Sequence, residues 1–117
     1  MLAACGLLLA GCGDDPSPKY AEHTPQRIER GQRLLAQYQC GSCHAIPGVA
    51  ASRGMTGPDL EAFGRRSYIA GQIPNRPEAL ARWIVQPKAL VPDTAMPAMG
   101  ASADDARDMA AYLHSLQ

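Results

Sequence analysis

Cys40-Gly41-Ser42-Cys43-His44 is the stretch from which the rest of the chain is read. Two thiols three positions apart on one turn can add to the two vinyl groups of a single porphyrin, and the adjoining His44 then stands beneath the iron as proximal ligand. The five residues therefore predict one covalently attached haem c, bonded through Cys40, Cys43 and His44. Other uses of such a pair make demands the chain does not meet. A redox Cys-x-x-Cys needs a βαβ setting and a structural zinc site needs a second Cys/His pair at ligand spacing, whereas the other cysteines, Cys5 and Cys12, lie at the extreme N-terminus. A nucleophilic Cys-His role is disfavoured as well, since both thiols would be consumed as thioethers.

The chain has 117 residues, room for one small domain, and 46% hydrophobic with 19% charged residues is ordinary for a globular protein. With eleven glycines and ten prolines, so small a domain buries only a modest core by itself, and a large flat apolar cofactor would complete it. Eleven basic residues balance eleven acidic ones. That argues against nucleic acid as a partner, and against attachment to a membrane by charge alone. The balance hides an asymmetry: Arg53, Arg65, Arg66, Arg76, Arg82 and Lys88 dominate the middle, while Asp104, Asp105 and Asp108 cluster near the end. The first set reads equally as a weakly positive docking rim or as scattered solvated charge.

Residues 1–11 are apolar, too short to span a bilayer as a helix, and end in Leu9-Ala10-Gly11 before Cys12. This end resembles the lipobox of bacterial lipoprotein signal peptides. The resemblance implies cleavage before Cys12, lipid on its sulfur, and a membrane-anchored protein on the periplasmic or other extracytoplasmic face; the alternative is a plain secretory signal with Cys12 a bystander. Residues 12–24 are polar, proline-bearing and aperiodic, and read as a flexible tether in which His23 is solvated.

Thr24-Pro25 has the form of an N-cap and first helical residue, and Ile28, Gly31, Leu34, Leu35 and Tyr38 follow at helical spacing, predicting a helix of four turns that runs into Cys40. Gly31 in its middle points to close packing. Asn75 with Glu78 suggests a capping box that opens a helix over residues 77–86, ended by Pro87. Ser102 with Asp105 starts a last helix that buries Ala106, Met109, Tyr112, Leu113 and Leu116 and leaves His114 in solvent. No strand is expected. The fold class is all-α, three to four helices with long loops, and the loops make sense only if they wrap a cofactor.

A haem held by His44 has a sixth coordination position, and its occupant decides between electron transfer and small-molecule binding. Met109 belongs to the last helix's apolar stripe, Met55 lies too near the attachment turn, and Met96 and Met99 sit in a loop long enough to reach the far face. From here the chain resembles class I cytochromes c over residues 25–117. The match rests on the attachment motif after a helix containing Gly31, on Thr56-Gly57-Pro58-Asp59-Leu60, on Thr94-Ala95-Met96-Pro97, and on a last helix with Met109 and Tyr112. The resemblance implies the cytochrome c fold, Met96 rather than Met99 as sixth ligand, and a carbonyl of Pro58 holding the ring N–H of His44. It also implies that Gly31 and Tyr112 meet where the first and last helices cross.

A narrower likeness joins the segment from Gly57 to Gly71 with Asn75, Leu80-Ala81-Arg82-Trp83-Ile84 and Pro87. It is similar to the cytochrome c domain fused to subunit II of caa3-type oxidases, and implies that Arg66 and Trp83 donate hydrogen bonds to the haem propionates. Trp83 reads independently as a core aromatic, and both can hold. The function implied is non-enzymatic one-electron transport between redox proteins, such as a quinol-oxidising complex and a terminal oxidase. Two alternatives stand beside it. One is a gas-binding or peroxidatic haem protein with a labile sixth ligand; the other is a lipoprotein whose haem domain serves assembly of a larger complex.

Overall fold

A computed structural model describes residues 23–117. The expected signal segment 1–11, the lipidation site Cys12 and all but the last two residues of the tether lie outside them. Among the described residues four helices form: α1 (Pro25–Gln37), α2 (Pro77–Val85), α3 (Pro87–Leu90) and α4 (Ala103–Ser115). Thr24 caps α1 by accepting a hydrogen bond from the Arg27 amide, and Pro25 occupies the first turn, where a missing N–H costs nothing. The helix stops short of the attachment motif. Tyr38 closes it, Gln39 takes a left-handed conformation (φ 58°), and Cys40–Ser42 form a separate 3-10 turn.

Helix α1 crosses α4 at Gly31. A β-carbon there would overlap the Asp108 carbonyl oxygen and lie 3.1 Å from the Met109 amide nitrogen, so the missing side chain is what lets the two backbones touch. The atoms nearest that position belong to the Asp108-Met109 peptide, one turn before the Tyr112 that the resemblance implied. Tyr112 lies further along and donates its hydroxyl to the Pro47 carbonyl at 2.5 Å. Around the crossing Leu34, Leu35, Leu80, Trp83, Ile84, Met109 and Leu113 form the core with Ile46, Leu60, Phe63 and Ile69 from the loops. Leu116 is only half-buried.

Two expectations need correction. A two-stranded antiparallel ribbon exists, β1 (Tyr68–Ile69) paired with β2 (Ile73–Pro74), turned by Ala70 and Gly71, both at positive φ. Strands two residues long carry no readable alternation, which is why none was expected. The residue before α2 is Arg76, without a side-chain cap bond. Asn75 instead donates its amide backwards to the carbonyls of Phe63 at 3.2 Å and Arg66 at 3.0 Å. Proline at the first position of α2 removes one of the donors a cap would have served.

Candidate functional site

The turn Cys40–Ser42 is closed by backbone bonds from the Cys43 and His44 amides to the Cys40 carbonyl, at 3.2 and 3.1 Å. Residues 45–60 then fold back on it. The Arg53 and Gly54 amides both reach the Gly41 carbonyl, the Leu60 amide reaches Ala45, and the Ser52 hydroxyl both donates to the Ile46 carbonyl and accepts from its amide. This loop, rich in glycine and proline, is therefore held by its own hydrogen bonds.

Its far end delivers the contact that matters most for His44. The imidazole Nδ1 lies 2.7 Å from the Pro58 carbonyl oxygen. A carbonyl can only accept, so Nδ1 carries the proton and Nε2 is left with its lone pair free for a metal. Gly57 fixes the ring from a second side, since a β-carbon there would overlap Cε1 and stand 2.7 Å from Nδ1. Pro58 was expected in this role; Gly57 was recognised only as part of a motif.

Cys40 and Cys43 are half-buried, and burial pushes the Cys40 thiol above its usual range. Among the described residues no three His, Cys, Asp or Glu side chains converge as a metal site. Two unbridged thiols one turn apart and an imidazole poised with one bare nitrogen fit a covalently attached haem: thiols for its vinyl groups, Nε2 for its iron.

The methionines separate clearly. Met109 is fully buried, while Met55 is 91% and Met99 44% exposed. Met96 is half-buried against the core, its amide held by the Thr94 hydroxyl at 3.2 Å. Trp83 belongs to the core. The Arg66 guanidinium donates to the Asp59 carbonyl and, at 3.4 Å, to that of Glu61, and lies 5.3 Å from the centroid of the Phe63 ring. Asp59, Glu61 and Arg66 thereby close a small loop directly after Pro58.

Two charged or titratable side chains depart from the expected picture. Asp108, in the acidic cluster, is buried and takes Arg27 at 2.7 Å and Arg30 at 2.5 Å, so it is a structural anion of the α1–α4 crossing. His114 is not in solvent: it is half-buried, stacks on Phe63, meets His23 edge-on and places Nε2 2.8 Å from the Asn75 side-chain oxygen. Sequence alone gave no signal for either, because both partners lie far off along the chain.

The described residues contain no helix long and apolar enough to cross a membrane. Comparison with known proteins places these features. The family model described as Cytochrome c matches residues 28–117. Among curated proteins the chain is 33% identical over 102 residues to "Cytochrome c oxidase subunit 2" of Alkalihalophilus pseudofirmus, covering 86% of this chain and 29% of that one. It is 28% identical over 86 residues to "Cytochrome c oxidase subunit 2" of Bacillus subtilis, covering 72% and 24%. The chain thus spans less than a third of the length of these relatives.

Proposed function

Since the chain belongs to the cytochrome c family, electron carriers with covalently bound haem c, we propose that it is a membrane-tethered one-electron carrier with His44 and Met96 as axial ligands. The observation that carries this reading is the pinned imidazole, with Nδ1 bonded to Pro58 and Gly57 packed on the ring immediately after the Cys40/Cys43 turn. When bound, the haem supplies an iron that cycles between Fe(II) and Fe(III), and thioether ligation favours the reduced state.

The chain's own residues do the rest. Cys40 and Cys43 bond the porphyrin, Pro58 and Gly57 keep the His44 ring from rotating between oxidation states, and Met96 offers its sulfur from a half-buried position with Thr94 holding its backbone. Arg66 and Trp83 face the propionates. Arg66 already spends donors on two carbonyls, and the guanidinium's remaining N–H groups are available to a carboxylate. Cys12 bears the lipid that tethers the domain at the extracytoplasmic face. The subunit II relatives support electron delivery to a terminal oxidase; the donor we propose is a quinol-oxidising complex.

The deciding experiment compares Met96→Ala and Met99→Ala in the purified haem-loaded protein. The near-infrared sulfur-to-iron band of the oxidised form is expected to vanish in the first and survive in the second; the reverse would assign Met99. Intact mass of the protein from its native membrane is expected to show one haem and acyl groups on a chain starting at Cys12. A mass without acyl groups would remove the tether from the proposal.

A further inference from the structure

His114, near the end of α4, is half-buried and does not serve the α1 crossing. Asn75 determines its state. The Asn75 side-chain nitrogen faces two carbonyl oxygens, those of Phe63 and Arg66, so its oxygen must be the atom that faces His114. A carbonyl-type oxygen only accepts, hence Nε2 of His114 carries the proton and Nδ1 is the nitrogen that titrates. Protonation leaves the Asn75 bond in place and adds a positive charge beside Phe63.

The groups packed on that imidazole come from three other elements. His23 lies edge-on from the segment before α1, Asn75 precedes α2, and Phe63 presents its ring from the turn Phe63–Arg65, with the Arg66 guanidinium 5.3 Å from its centroid. The end of α4 is bound to the same turn by the backbone, the Gly64 amide donating to the Leu116 carbonyl at 2.8 Å. Of these neighbours Arg66 carries a positive charge, and His23 adds one when it is protonated. Burial first, and His23 second, hold the imidazole below its ordinary pKa, so it is neutral near pH 7 and takes up its proton only below the ordinary imidazole range.

We propose that His114 is the proton-responsive residue of the redox site: clamped by Asn75 against the Phe63–Arg66 turn, it couples pH to the reduction potential of the haem. The inference rests on the reading above that the Arg66 turn lies against the propionates. One electron added to the haem lowers its charge by one, so a nearby proton is bound more tightly in the reduced protein, and by reciprocity the potential rises when the proton is present. The effect is electrostatic: Asn75 and the turn hold the imidazole in place, and the charge it gains acts across the turn.

The test is a spectroelectrochemical titration of the haem-loaded protein from about pH 4.5 to about pH 8, across the ordinary imidazole range. The wild-type potential is expected to rise as pH falls below neutrality, by at least the equivalent of threefold tighter proton binding in the reduced form, about 28 mV at about 59 mV per tenfold. His114→Gln retains an amide donor for Asn75 and cannot titrate; its potential is expected to stay flat. His23→Ala removes a like charge and is expected to keep the step but move it to higher pH. A flat wild type, or a step that survives His114→Gln, overturns the coupling. If Arg66→Ala shifts the potential while the wild type shows no step, the placement of the turn stands and only the coupling falls. If Arg66→Ala leaves the potential unchanged, the placement is wrong and the coupling falls with it.

Discussion

Helices α1 and α4 meet backbone to backbone, whereas His44 and Met96 come from irregular segments and each side chain or backbone has few contacts of its own. At the crossing Gly31 lies directly on the Asp108-Met109 peptide, and Arg27 and Arg30 converge on the buried Asp108 carboxylate. On the other side His44 relies on one carbonyl and one glycine, and Met96 on one hydroxyl. The contrast teaches a division of labour: the crossing holds the fold, and the loops hold two donor atoms in place. Substitutions at the crossing should therefore cost stability and leave the haem spectrum alone, while substitutions in the loops should do the opposite.

Gly31→Ala should produce the largest loss of stability. Alanine in place of a mid-helix glycine ordinarily gains about 1 kcal/mol, but here the new methyl meets a carbonyl oxygen that cannot swing away, and overpacking costs about 3 kcal/mol. The net expectation is a loss of about 2 kcal/mol in urea denaturation of the haem-loaded protein, with the absorption spectrum unchanged. A stabilised variant would mean that the helices do not touch at Gly31. Asp108→Asn should rank next. Losing a buried charged acceptor for two guanidinium groups costs about 1.5 kcal/mol, again with an unaltered spectrum.

Gly57→Ala takes the other side of the contrast. The methyl overlaps the His44 ring, which can yield by turning, so the expected stability loss is smaller, about 1 kcal/mol. Turning breaks the bond to Pro58 and alters the ring's angle to the iron. A changed low-spin electron paramagnetic resonance signal and a shifted potential should follow. A variant with wild-type signal and potential would show that Gly57 does not set the ring.

The same division explains what the sequence made legible. The caps at Thr24 and Ser102, the apolar spacing of α1 and α4 and the attachment motif are local, each written in residues a few positions apart; both caps are present as read, and both helices form over most of the span that the spacing gave them. The bond from His44 to Pro58, which resemblance supplied, is present too. What could not be read joins distant residues: Asp108 with Arg27 and Arg30, Asn75 with Phe63 and Arg66, His114 with Asn75. Asn75 misled because the Asn-x-x-Glu spacing is also that of a cap, and only the position of the turn at residues 63–65 decides where its amide goes. The ribbon 68–74 escaped notice because its pairing is set by a turn through Ala70 and Gly71, not by alternating side chains.

The smallest expected effect probes the rim of the crossing, where polar contacts are open to water and should matter little. The Tyr38 hydroxyl donates to Asp105 at 2.7 Å, and that bond is the main reason the Asp105 carboxyl sits below its ordinary range, with Arg30 adding to it and burial opposing. A depressed carboxyl stabilises the fold above its unfolded value, about 3.9, and the contribution disappears as pH falls through the folded value. Tyr38→Phe removes the donor, so wild type should exceed the variant in stability at neutral pH by a margin that narrows below about pH 4. Paired urea denaturations on either side of that pH check it. A margin that stays constant with pH would mean that Tyr38 acts by packing alone; a margin as large as that of Asp108→Asn would mean that the rim carries as much of the fold as the buried carboxylate, and the contrast between crossing and periphery would have to be redrawn.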